Sequence, residues 1–224
     1  MSEYHLRALF EQADEHDMDD GRRAYIRYHD MMMALANEYR CELPAVVGAF
    51  VALSPTNDYF NNLRGLVSML RAQIDGVPLN TVNAGTYKHA RDRAALYLTG
   101  TPFLSHAKGP KTRNFYVNIL DPTDTWSVTV DGHMYWAWMG SSGTMRQAKV
   151  TKSVYDTIAH DIRSVARLHH MIPHQMQATL WFTRKRLSNT VYDPQFSLFD
   201  DRSIVGAQKT TFSVDEILPF DQEK

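Results

Sequence analysis

Apolar residues in this chain recur at three-to-four spacing over most of its length, and no stretch shows convincing period-two alternation. That pattern permits packed amphipathic helices and little else. In residues 20–41, Tyr25, Tyr28, Met32, Leu35, Ala36 and Tyr39 fall on one helical face, with Asp19 or Asp20 placed to cap it. After Pro44 the run AVVGAFVALS reads as a short buried helix stopping at Ser54-Pro55. Asn57 or Asp58 is suited to cap the next helix, YFNNLRGLVSMLRAQIDG, which Gly76 closes. Further helices are predicted over 81–98, ended by Gly100, and over 111–120, 131–139, 153–168 and 173–187. Only the runs WSVTV and SIVGA suit an extended conformation. The expected class is all-α, with a helical domain over residues 1–188 and a polar, aperiodic tail over 189–224.

Composition narrows the function classes. With 224 residues, 44% hydrophobic and 22% charged, the chain can bury one sizeable core or two small lobes sharing an interface. A net charge of -1 gives no global nucleic-acid signature, so polyanion binding has to come from local basic patches. The single cysteine, Cys41, excludes an internal disulfide and any multi-cysteine zinc or iron-sulfur site; it fits a small core residue in a reducing compartment. No apolar run approaches the roughly 18 residues of a membrane span. The N-terminus, MSEYHLRALFEQADEHD, is too charged for a secretory signal. A cytoplasmic protein is expected, monomeric and without membrane contact.

The segment from Lys108 to Met134, KGPKTRNFYVNILDPTDTWSVTVDGHM, concentrates the chemistry. A Gly-Pro turn entering a helix exposes backbone N–H groups suited to a phosphate, and Lys108, Lys111, Lys88 and Arg91 offer positive charge. At its far end Asp131 follows an apolar VTV and precedes a helix start. A carboxylate there is costly unless it caps the helix or is used in chemistry.

The residues Leu104, Gly109, Lys111, Thr112, Asn118, Pro122, Val128, Val130, Asp131 and His133 together resemble the signature of the endonuclease III-like, helix-hairpin-helix (HhH-GPD) DNA glycosylases. Asp131 lies twenty positions after Lys111, close to the family's spacing. The stretch ALSPTNDYFNNL, residues 52–63, resembles the family's early segment near the flipped base. The resemblance spans roughly residues 45–140. ALSP, GPKTRNFYVNI, VTVDGHM and QATLW further resemble small glycosylase-like proteins of phages and bacterial genomic islands. Two departures stand out: Ala107 replaces a hairpin glycine, and no four-cysteine cluster follows, which excludes the iron-sulfur branch.

The resemblance implies a two-lobed helical fold with its active-site cleft between the lobes, acting on double-stranded DNA without a cofactor. The target nucleotide is flipped from the stack and its N-glycosidic bond is broken. Asp131 would stabilise the positive charge developing at C1′. Lys111 matches the amine nucleophile of bifunctional members, which form a Schiff base and cut the strand; it equally suits a phosphate anchor in a monofunctional enzyme, and the irregular hairpin leans toward the latter. Lys108, Gly109, Thr112, Ser54 and Asn57 would contact DNA. A modified base, such as a hypermodified phage pyrimidine, is the expected target, in antiviral defence or repair. A base-modifying transferase and a non-catalytic DNA-binding module are the alternative activities.

Three other features remain. His169, His170 and His174 lie close in sequence but lack a completing ligand, so no metal site is expected and they read as surface or interhelix residues. The aromatic run over 134–139 suits core packing, with one ring open to stack on a base. Gln195–Phe199, QFSLF, resembles the bacterial sliding-clamp-binding pentapeptide, an apolar anchor on a polar segment; it equally suits a tail that folds back on the core through Phe196, Leu198 and Phe199.

Overall fold

A computed structural model describes residues 2–188, apart from 56 and 58. All regular structure among the described residues is helical: α1 (Ser2–Phe10), α2 (Glu15–Glu38), α3 (Leu43–Leu53), α4 (Tyr59–Ile74), a 3-10 turn (Leu79–Thr81), α5 (Lys88–Leu98), α6 (Phe103–His106), α7 (Pro110–Leu120), α8 (Gly132–Met139), α9 (Lys152–Leu168) and α10 (Pro173–Leu187). The all-α class follows. No described helix is long and apolar enough to cross a membrane. The tail over 189–224, with SIVGA and Gln195–Phe199, lies outside the described residues, as does Asp58.

The chain divides into two compact units. Among the described residues, one takes in residues 2–29 together with 106–188, and the other contains Asp30–Ser105. In the first, α1 packs on α8, α9 and α10, and α10 packs on α8 and α9. Its core is drawn from Leu6, Tyr25, Ile119, Met134, Ile158, Ile162 and Leu180, all at most 1% exposed. Gly21 lets α2 approach α10 closely, since a Cβ there would stand 2.6 Å from Thr179 N. In the second unit α3 packs against α4 and α5, and Gly65 of α4 admits the backbone of Ala84, whose carbonyl oxygen would clash with an added Cβ.

The apolar stripe predicted for α2 is buried throughout, from Tyr25 to Tyr39. Its start differs from the prediction. Asp14 Oδ1 accepts Asp17 N–H at 2.8 Å while Asp17 Oδ2 accepts Asp14 N–H at 3.3 Å, a reciprocal cap that begins the helix earlier. Asp19 and Asp20 serve instead as surface partners of Arg23 and Arg27. The helix expected over 81–98 is also shorter. Asn83 Oδ1 accepts Gly85 N–H at 3.1 Å and Gly85 takes φ 63°, so this turn delays α5 to Lys88. Gly76 (φ 68°) and Gly100 (φ 99°) end α4 and α5 in the left-handed conformation that glycine favours.

Candidate active site

Lys108, Gly109, Lys111, Thr112 and Asp131 all belong to the first unit. The one-turn α6 ends at His106, and residues 107–109 lead from it into α7. Gly109 is the N-cap of α7, with extended φ −88° and ψ 141° and no side-chain cap. A Cβ at Gly109 would meet only Thr112 Oγ1, at 3.9 Å, so neither backbone conformation nor internal packing demands glycine here. Lys108 and Lys111 are exposed and Thr112 is half-buried.

From Lys111, Asn114 and Asn118 follow at i+3 and i+7 on one face of α7. Those two amides grip the segment that carries Asp131. Asn114 Nδ2 donates to Val128 O at 3.0 Å and to Tyr155 Oη at 2.8 Å, and Asn118 Nδ2 donates to Thr129 Oγ1 at 3.0 Å. From α9, Tyr155 Oη donates to Val128 O at 2.6 Å and accepts Val130 N–H at 3.3 Å. WSVTV forms no strand: its backbone is hydrogen-bonded by Asn114 of α7, by Tyr155 and Arg163 of α9, and by Asp124 of the loop before it.

Asp131 emerges half-buried from this clamp as the N-cap of α8. Its Oδ1 accepts Met134 N–H at 3.0 Å, and among the described residues no hydrogen bond reaches Oδ2. The carboxylate thus caps its helix with one oxygen and keeps the other for a further partner.

A buried polar layer lies around it. Burial raises the Tyr25 phenol far above its ordinary value and the negative charge of Asp131 adds to the rise; burial likewise raises Tyr155, with Asp131 contributing. Tyr25 donates to Gln177 Oε1 at 2.9 Å. Asn118, fully buried, has its Oδ1 without a hydrogen-bond partner. On α10, burial pushes Arg184 below its ordinary range while Asp131 opposes the shift, and its Nη2 donates to Ser141 O at 2.9 Å. The gathering of Arg184, Tyr25, Asn114, Gln177 and Tyr155 into this layer was not legible in the sequence. Four different helices supply these side chains, and spacing within one helix does not reveal that convergence.

Ser54 and Asn57 belong to the other unit. Ser54 is the C-cap of α3 and its hydroxyl donates to Val51 O at 2.9 Å. Asn57 is buried, with its amide turned back toward Leu53 O at 3.5 Å. The three histidines separate: exposed His169 packs against Phe10, His170 is exposed with φ 52°, and His174 is fully buried, its Nε2–H donating to Pro122 O at 2.9 Å. Among the described residues no group of three or more His, Cys, Asp or Glu side chains is arranged to hold a metal ion. Trp136 and Trp138 of α8 are half-buried and tied through their indole N–H groups to Thr144 O and to the Asp161 carboxylate.

Residues 3–187 match a family of unknown function, DUF7178, and the chain belongs to it. No curated protein and no solved structure matches the chain.

Proposed function

We propose that this DUF7178 member is a DNA glycosylase that flips a modified base out of double-stranded DNA and hydrolyses its N-glycosidic bond, leaving an abasic site. The observation that carries the proposal is the Asp131 carboxylate, fixed by Met134 N–H through one oxygen while the other stays available. Bond cleavage develops positive charge on the sugar, and a preorganised carboxylate stabilises that charge without reorganising. The clamp by Asn114, Asn118 and Tyr155 supplies the preorganisation.

Gly109, with the exposed Lys108 and Lys111, suits a DNA phosphate at the entrance to α7. Lys111, exposed on α7, is assigned the anchoring role. Water is then the nucleophile, and the enzyme is monofunctional. Ser54 and Asn57 are assigned to DNA contact through the resemblance of their segment alone, and so is the sliding clamp as a partner of Gln195–Phe199. The resemblance to phage and genomic-island proteins suggests hypermodified pyrimidines as targets, with a role in antiviral defence.

Incubation with DNA carrying ordinary lesions and, in parallel, with glucosylated or otherwise modified phage DNA tests the proposal. Alkali-labile abasic sites are expected in the modified DNA. Cleavage confined to ordinary lesions removes the modified-base assignment, and no abasic sites in any substrate overturns the glycosylase itself. Borohydride is expected to trap no covalent adduct, with wild type or with Lys111→Ala.

A further inference from the structure

We infer that Trp126 is a stacking platform for an unpaired nucleobase of the DNA strand bound at Asp131, an assignment that rests on the DNA-acting reading of this site. Trp126 is 69% exposed, yet it is held firmly at its base. The Arg163 guanidinium lies 4.1 Å from its ring centroid, and Arg163 Nε donates to Trp126 O at 2.8 Å. Asp124 Oδ1 accepts the N–H groups of Trp126 and Ser127 at 3.0 and 2.5 Å. An indole so placed presents area to a ligand at little cost in side-chain ordering.

The surroundings select the ligand. Asp121, Thr123 and Thr125 beside it are exposed and polar, so Trp126 is a lone ring and not the centre of an apolar patch. A protein interface needs a desolvated apolar core. A nucleobase needs only a π-face with positive charge nearby for its phosphate, which Trp126 over Arg163 provides. The neighbouring acids are turned into the loop, Asp121 toward Thr123 and Asp124 toward the two N–H groups above.

Trp126 is also indexed to the acid. Tyr155 and Arg163 lie about two turns apart on α9, at i and i+8, and hold Val128 O and Trp126 O respectively. Asp131 lies five positions after Trp126, a Cα-to-Cα span of at most about 18 Å even when fully extended. At about 3.4 Å per nucleotide of a strand, that is within roughly five base steps of the sugar Asp131 addresses.

Fluorescence anisotropy with labelled DNA tests the assignment in an Asp131→Asn background, so that substrate is not consumed. Trp126→Ala is expected to weaken binding to single-stranded or mismatched DNA roughly tenfold or more, as loss of one base stack does, and Trp126→Phe to restore part of it. On strands whose bases are replaced by tetrahydrofuran residues, proteins with and without the Trp126→Ala substitution should bind alike. Thermal melts check that Trp126→Ala is folded, and Trp126→Phe serves if it is not. Unchanged affinity in the folded alanine variant, an equal loss on base-free strands, or no DNA binding at all overturns the inference. The two proposals fail separately: base-dependent binding through Trp126 without abasic sites removes only the glycosylase, and excision that ignores Trp126→Ala removes only the platform.

Discussion

Asp131 caps α8, and substitution can separate that task from the catalytic one proposed for it. As an N-cap it is matched by asparagine, whose side-chain oxygen also accepts from Met134 N–H, whereas alanine offers no acceptor. Asp131→Asn is therefore expected to melt within about 0.5 kcal/mol of wild type and Asp131→Ala about 1 kcal/mol lower, as thermal denaturation will show. His174 sets a second residue-level expectation. Burial lowers its folded-state value, so the native imidazole is neutral while the unfolded chain takes up a proton below about pH 6.5. Its contribution to stability is present above that pH and is lost as pH falls through it toward the lowered native value. His174→Gln retains a donor for Pro122 O but cannot titrate. The fall in melting temperature between about pH 7 and pH 5.5 should be shallower in that variant; identical slopes would contradict this role.

At the level of elements, the Asp131 segment is a strap held by α7 and α9. Tyr155→Phe removes the hydroxyl that serves Val128 O, Val130 N and Asn114 Nδ2. Leaving such buried groups short of partners is expected to cost about 2 kcal/mol, read from denaturant unfolding, and to slow excision by loosening the acid. Most helices were legible because their signals are local: Pro44, Pro110 and Pro173 at helix starts, Gly76 and Gly100 at ends, and the α2 stripe. α1 escaped because its run is short and charged, and α5 was overextended because an Asn83–Gly85 turn interrupts an otherwise helical pattern. Asp131 and Gly109 were visible as motif residues. Tyr155, Tyr25 and Arg184 were not, because an amphipathic pattern marks which face is buried and not which distant residue that face will meet.

For the molecule as a whole, a net charge of -1 means that the proposed affinity for DNA would rest on a few local contacts. Its logarithmic salt dependence should correspond to few neutralised phosphates, with Lys108→Ala and Lys111→Ala each reducing the slope by about one. Anisotropy titrations across salt concentrations measure this, and unchanged slopes in both variants would remove the phosphate assignment at α7. The central claim is tested most directly by single-turnover formation of abasic sites in modified phage DNA by wild type and by Asp131→Asn. The account predicts that the folded asparagine variant binds this DNA as wild type does but forms abasic sites at least about a hundredfold more slowly, the scale of losing one preorganised stabilising group. Equal rates for the two proteins would contradict it.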